Sequence, residues 1–134
     1  MKSIVHTDNI DWPWMIARDT VYRLKGFDPA FSYMLLGDDG KVYASIRFCH
    51  ITLYEGYRFD GCTCAPDFCR ALPGCAVHDA LLQMLDMDPE LFTEQLAHEQ
   101  LYHTHKEHRF LFAKVYYWAV SGWPRKLYNQ MKKQ

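Results

Sequence analysis

The hydrophobic period of this chain changes once, and that change limits the folds open to it. Up to about residue 60 the apolar residues come in β-type runs. VYRLKGF (21–27), SYMLLGDDGKVYASIRFCHITLYEG (32–56) and YRF (57–59) are rich in Tyr, Val, Ile, Phe and Thr. Asp39-Gly40, between SYMLLG and KVYASI, is the strongest hairpin signal, because a two-residue turn needs the backbone conformations this pair supplies. From about residue 73 the spacing becomes helical. A first helix is expected from Pro73 to Met87, with the proline in its first turn. A second is expected to restart at Asp88-Pro89-Glu90, with Asp88 as its cap, and to carry Leu91, Phe92, Leu96 and Leu101. A third is expected over 107–121, with Phe110, Leu111, Val115 and Trp118, and to end at Gly122. The expected fold is α+β: one domain of 134 residues, with a β-rich half (1–59) of hairpins and meander, then a Cys-rich loop and helices (60–134).

Composition narrows the function classes. Hydrophobic residues make up 49% of the chain, enough for one core. The formal net charge is −1, which gives no electrostatic case for a nucleic-acid partner. No apolar run approaches the roughly 18 residues of a membrane span, and MKSIVHTDNIDWPWM lacks the apolar stretch of a signal peptide. A reducing compartment and free thiols are therefore expected. Aromatic residues reach 16%, material for a core and equally for an interface. The tail after Gly122, with Trp123, Arg125, Lys126, Tyr128, Lys132 and Lys133, could meet anionic lipid or a partner protein, or be an ordinary solvated end.

Four of the five cysteines fall in RFDGCTCAPDFCRALPGCAVHD (58–79), which ends in a His-Asp pair. Three uses compete. Cys62, Cys64, Cys69 and Cys75 could hold zinc, although structural zinc prefers two well-separated close pairs and only one close pair exists. They could form a disulfide staple, although five is an odd number. Or the stretch could be a catalytic loop, with some cysteines merely buried, as Cys49 is expected to be on its strand. His103, His105 and His108 resemble a metal tract but are expected to be the solvated end of the second helix.

FDGCTCAPDF followed by GCAVHDALL and, later, YYWAV (116–120) resembles the active-site region of the phospholipase A2 superfamily, nearest its small bacterial and fungal branch. It is also similar to a family of small phage and prophage proteins with an Asp…Pro…His-Asp signature. The resemblance covers residues 57–122. It implies a core of two to three long helices, with His78 as general base on a water and Asp79 as a metal ligand. Asp60 would add a second carboxylate and Gly61 a backbone carbonyl for Ca²⁺, which takes six to eight oxygen ligands. A Cys62–Cys75 disulfide would tie loop to helix.

Two positions depart from the pattern. Where the family's second helix presents a carboxylate to the catalytic His, this chain has His98, and where it has a Tyr three residues after His-Asp, this chain has Leu82. His98 is either a partner of His78 at the site or a core histidine on the face of Leu91 and Leu101. Asp60, His78, Asp79 and His98 together would be a mixed set suited to Zn²⁺. Two functions follow as expectations. One is a virion structural or assembly protein on this scaffold, working with other phage proteins, copies of itself or a lipid surface, in the virion or host cytoplasm. The other is a Ca²⁺- or Zn²⁺-dependent phospholipid or ester hydrolase.

Overall fold

The computed structural model describes residues 3–9, 11–62 and 70–122. Among these, seven strands precede three helices. They are β1 (Ile4–His6), β2 (Trp14–Ile16), β3 (Thr20–Arg23), β4 (Tyr33–Leu36), β5 (Val42–Arg47), β6 (His50–Leu53), β7 (Arg58–Phe59), α1 (Leu72–Met87), α2 (Glu94–Glu107) and α3 (Ala113–Gly122). Two antiparallel sheets and three helices make the α+β class expected from the sequence.

The larger sheet has the order β3-β6-β5-β4. Its period-2 pattern explains why it needs a helix over one face. Ala44 pairs with Leu53 and Ile46 with Ile51, and all four are buried, whereas the intervening pair is Ser45 with Thr52. Ala76, Val77, Ala80, Leu81 and Met84 of α1 belong to the same core cluster. Each large aliphatic side chain buried there is worth roughly 1.5–3 kcal/mol. The β4–β5 hairpin turns at Asp39-Gly40, with Gly40 at φ +80° and the Gly37 N–H donating to the Lys41 carbonyl at 2.9 Å.

Cys49 is not on a strand. It shares the β5–β6 turn with Phe48 at φ +60° and +52°, the positive values a tight hairpin turn demands of both central residues. It is half-buried, and its thiol donates to the Phe27 carbonyl at 3.3 Å. In the smaller sheet, β1-β2-β7, β7 falls in the β-type run YRF (57–59), whereas β1 and β2, of three residues each, are too short to display a period. Its β7 pairs with β2 through Trp14–Phe59 and Met15–Arg58, and leads directly into Asp60.

Two helix boundaries differ from expectation. Asp88 closes α1, its N–H bonding the Met84 carbonyl at 2.8 Å, and its carboxylate accepts the Tyr33 hydroxyl. With Asp88 so engaged, Thr93 caps α2 instead: extended backbone presents its hydroxyl to the Leu96 N–H at 3.1 Å. Leu91 thus lies outside α2 and is exposed. At the other end α2 stops at Glu107, and α3 begins only at Ala113. Arg109 turns left-handed at φ +54°, the Phe110 N–H bonds the His105 carbonyl at 2.9 Å, and the Arg109 N–H bonds that of Lys106 at 3.1 Å. This is a Schellman closure made without the usual glycine, so the sequence did not announce it.

One buried amide ties α2 to the end of β3. Gln100 accepts from the Lys25 N–H at 3.0 Å and donates to the Lys25 carbonyl at 2.5 Å. Among the described residues no helix is long and apolar enough to cross a membrane.

Candidate functional site

The site forms where the end of β7 lies along the first turns of α1. Cys75 and Asp79, four apart, project from one stripe of the helix about 6 Å apart along its axis. Asp60 and Cys62 flank Gly61 just past β7, and each makes a contact with that stripe. Cys62 and Cys75 are joined by a disulfide with a Cα–Cα distance of 5.0 Å, and the Asp60 N–H donates to Asp79 Oδ2 at 3.4 Å. Gly61 sits between them at φ +98°, a conformation few side chains tolerate.

Adjacent residues on a helix point about 100° apart, so His78 leaves Asp79's face and turns to α2. Its Nε2 lies 2.9 Å from His98 Nδ1, with the ring centroids 5.1 Å apart. Both imidazoles are buried, at 3% and 8% exposure, and Asp79 is at 9%. His98 is therefore the partner of His78, and its burial on the Leu101 side of α2 is part of the same arrangement. One ring donates and the other accepts, so the contact itself holds a single shared proton.

Tyr57 is a member of this neighbourhood that sequence reasoning missed. Its hydroxyl accepts from Gln83 Nε2 at 3.0 Å. Burial first, then the negative charges of Asp79 and Asp60, push its pKa well above the usual phenol value, so it stays protonated. A phenol thus stands near the two carboxylates although Leu82 occupies the helix position where the resemblance led one to look. Strand alternation around Phe59 offered no cue, because Tyr57 reads there as one more aromatic.

The donors suit metals unequally. Asp60, Asp79 and the Gly61 backbone offer oxygens of the kind calcium takes, fewer than the six to eight it needs. Among the described residues no three His, Cys, Asp or Glu side chains gather as a ligand set. Asp67, with Thr63, Ala65 and Pro66 of the loop motif, lies outside the described residues, as do Cys64 and Cys69. The zinc sets named from sequence would require opening the Cys62–Cys75 bond or the His78–His98 hydrogen bond. The disulfide also replaces the free thiols expected of these two cysteines.

His105 overturns the expectation of a solvated histidine tract. It is fully buried, and neither ring nitrogen has a hydrogen-bond partner. Phe110 and Tyr116 pack edge-on against it at 4.9 and 5.4 Å, beside the cluster of Ala71, Cys75 and Leu101. Space for the ring exists because residue 74 is glycine: a Cβ there would overlap the imidazole. Gly74→Ala should therefore destabilise by about 1–3 kcal/mol despite alanine's better helix propensity, because the ring has nowhere to go. Denaturant unfolding of this variant checks it; an unchanged or raised midpoint would mean that the His105 pocket yields freely.

Comparison with protein-family models, with curated proteins and with solved structures finds no match for this chain.

Proposed function

We propose that this chain is a phospholipase A2-like scaffold used for binding or assembly in a phage-type particle, with little or no turnover. The observation that supports this reading is the hydrogen bond between His78 and His98. A general base becomes an imidazolium when it takes a proton from water, and its usual gain of roughly 10²–10⁴-fold depends on something stabilising that cation. A carboxylate does so; a second imidazole adds no negative charge, and two protonated rings at this distance repel. The partners of such a module would be other structural proteins of the particle or further copies of this chain.

A second reading is favoured by one contact: the Asp60 backbone N–H reaches the Asp79 carboxylate, bringing the loop beside the helix turn that carries His78, as a metal-dependent ester hydrolase with His78 as base would require. Acyl release from mixed phospholipid micelles, with calcium and separately with zinc, distinguishes the two. The expected result is wild-type release near the background rate, rising in His98→Asp, where a carboxylate again faces His78. Robust wild-type release with either ion, abolished in His78→Ala, would replace the assembly reading with the hydrolase.

A further inference from the structure

A sheet edge is a row of unspent backbone donors and acceptors, and proteins usually blunt it. Among the described residues the edges are β1 and β7 of the smaller sheet and β3 and β4 of the larger. β4 carries a register shift between Leu35 and Leu36. β7 has two residues, and the N–H that follows them, of Asp60, is given to Asp79. β1 and β3 carry no such device, and both open on one cavity of about 750 Å³, lined by residues 3–6 and 20–23.

The register fixes which groups turn toward it. The Ala17 N–H bonds the Ser3 carbonyl at 2.7 Å and the Thr7 N–H bonds that of Pro13 at 2.5 Å, so the odd-numbered residues of β1 bond β2. Ile4 and His6 therefore turn their N–H and C=O away from β2. Likewise the Leu24 N–H bonds the Cys49 carbonyl at 2.8 Å, so the even-numbered residues of β3 bond β6, and Val21 and Arg23 turn theirs away. None of these outward groups meets a backbone partner among the described residues. Buried Tyr22 and Leu72 and half-buried Trp14 line the same cavity, as do exposed His6 and the exposed Arg23–Glu107 ion pair at 3.5 Å.

We propose that this cavity takes an extended peptide segment of another protein, which adds as a strand between β1 and β3. Its main chain bonds Ile4 and His6 on one wall and Val21 and Arg23 on the other. Its side chains alternate, apolar ones settling toward Tyr22, Trp14 and Leu72 and polar ones lying by His6 and the ion pair. The two walls select this occupant. A strand that pairs on both must arrive with both of its edges unspent, as an extended tail or linker does. Each of β1–β7 already has an edge spent on a neighbour, so no strand of a second folded copy fits. The added strand joins the two sheets into one. The inference goes beyond the assembly reading and stands without it, since it uses neither His78 nor His98.

The test is amide hydrogen exchange of the full chain, alone and with a millimolar capped peptide of alternating valine and threonine bearing a lysine at each end. The amides of Ile4, His6, Val21 and Arg23 are expected to exchange fast in the free protein, and roughly tenfold or more slowly with the peptide. The same peptide with N-methylated valines cannot donate to one wall and should bind roughly tenfold more weakly. Val21→Pro removes an outward N–H without touching a bond to β6, a placement edge strands tolerate, and should cause a similar loss. An unchanged circular dichroism spectrum verifies the fold of that variant. The proposal is overturned if no amide slows, if slowing is confined to other amides, or if either the N-methylated peptide or the proline variant binds undiminished. Slow exchange at these amides in the free protein would show that the chain covers its own edges. Slow exchange only at high protein concentration would assign them to a second copy. Either result also overturns the proposal.

Discussion

Lowering the pH from about 6.5 to about 4 is expected to remove roughly 3 kcal/mol of folding stability through His105 alone. Burial lowers its pKa from 6.5 to about 4, and the neighbouring His108 adds a smaller push in the same direction. The folded state therefore holds His105 neutral across a range in which the unfolded chain would protonate it. Stability rises with pH wherever the unfolded state binds more protons. The contribution is thus complete above about 6.5, declines as the pH falls, and is nearly gone at the folded-state value. A shift of about 2.5 units at 1.36 kcal/mol per unit gives the magnitude. Urea unfolding of wild type and His105→Leu, compared between pH 7 and pH 4.5, isolates this group from the other histidines. The leucine variant should lose less stability on acidification; parallel losses in the two proteins would show that His105 does not carry the effect.

Removing the Cys62–Cys75 bond should cost a similar amount. The two residues are 13 apart in sequence, and a cross-link closing a loop of that length restricts the unfolded chain by about 3 kcal/mol. Reduction, or Cys62→Ala with Cys75→Ala, should lower the denaturant midpoint accordingly. It should also speed hydrogen exchange at the Asp60 amide, which the bond holds against Asp79. The same midpoint with and without reductant would mean that packing around Cys75 alone keeps the loop in place. This dependence would link the folded population to the redox poise of its surroundings.

What the sequence disclosed, and what it withheld, follows from how local each signal is. The Asp39-Gly40 turn specifies its hairpin through near neighbours and was legible; the β5–β6 turn at Phe48-Cys49 was not, because neither residue is a usual turn former. The run Pro73–Met87 was legible too, as a helix. The cap of α2 was misplaced because Asp88 ends α1 and accepts the Tyr33 hydroxyl, 55 residues away in sequence, while Thr93 caps α2. The burial of His105 depends on Gly74 from α1 and Tyr116 from α3, so YHTHKEH reads locally as a polar stretch. Within the site, the meeting of His78 with His98 was one of two alternatives that the motif positions left open. Tyr57 and the Gln100 clamp were not foreseen, because neither residue belongs to a motif and each acquires its role through distant partners.

The pairing of β2 with β7 has a consequence for synthesis. Trp14 leaves the ribosome 45 residues before Phe59, its partner across the ladder. The β4–β6 hairpins need only near neighbours and can close in the interval, while the early β1–β2 ribbon waits with one edge unmatched. Because β7 runs straight into Asp60, the last pairing of the β-rich half to become possible is also the one that anchors the loop strand of the site. A chain of which only the first 58 residues have emerged would therefore present an unmatched, adhesive β2 edge and a larger sheet whose α1 face is still uncovered, with no site yet assembled.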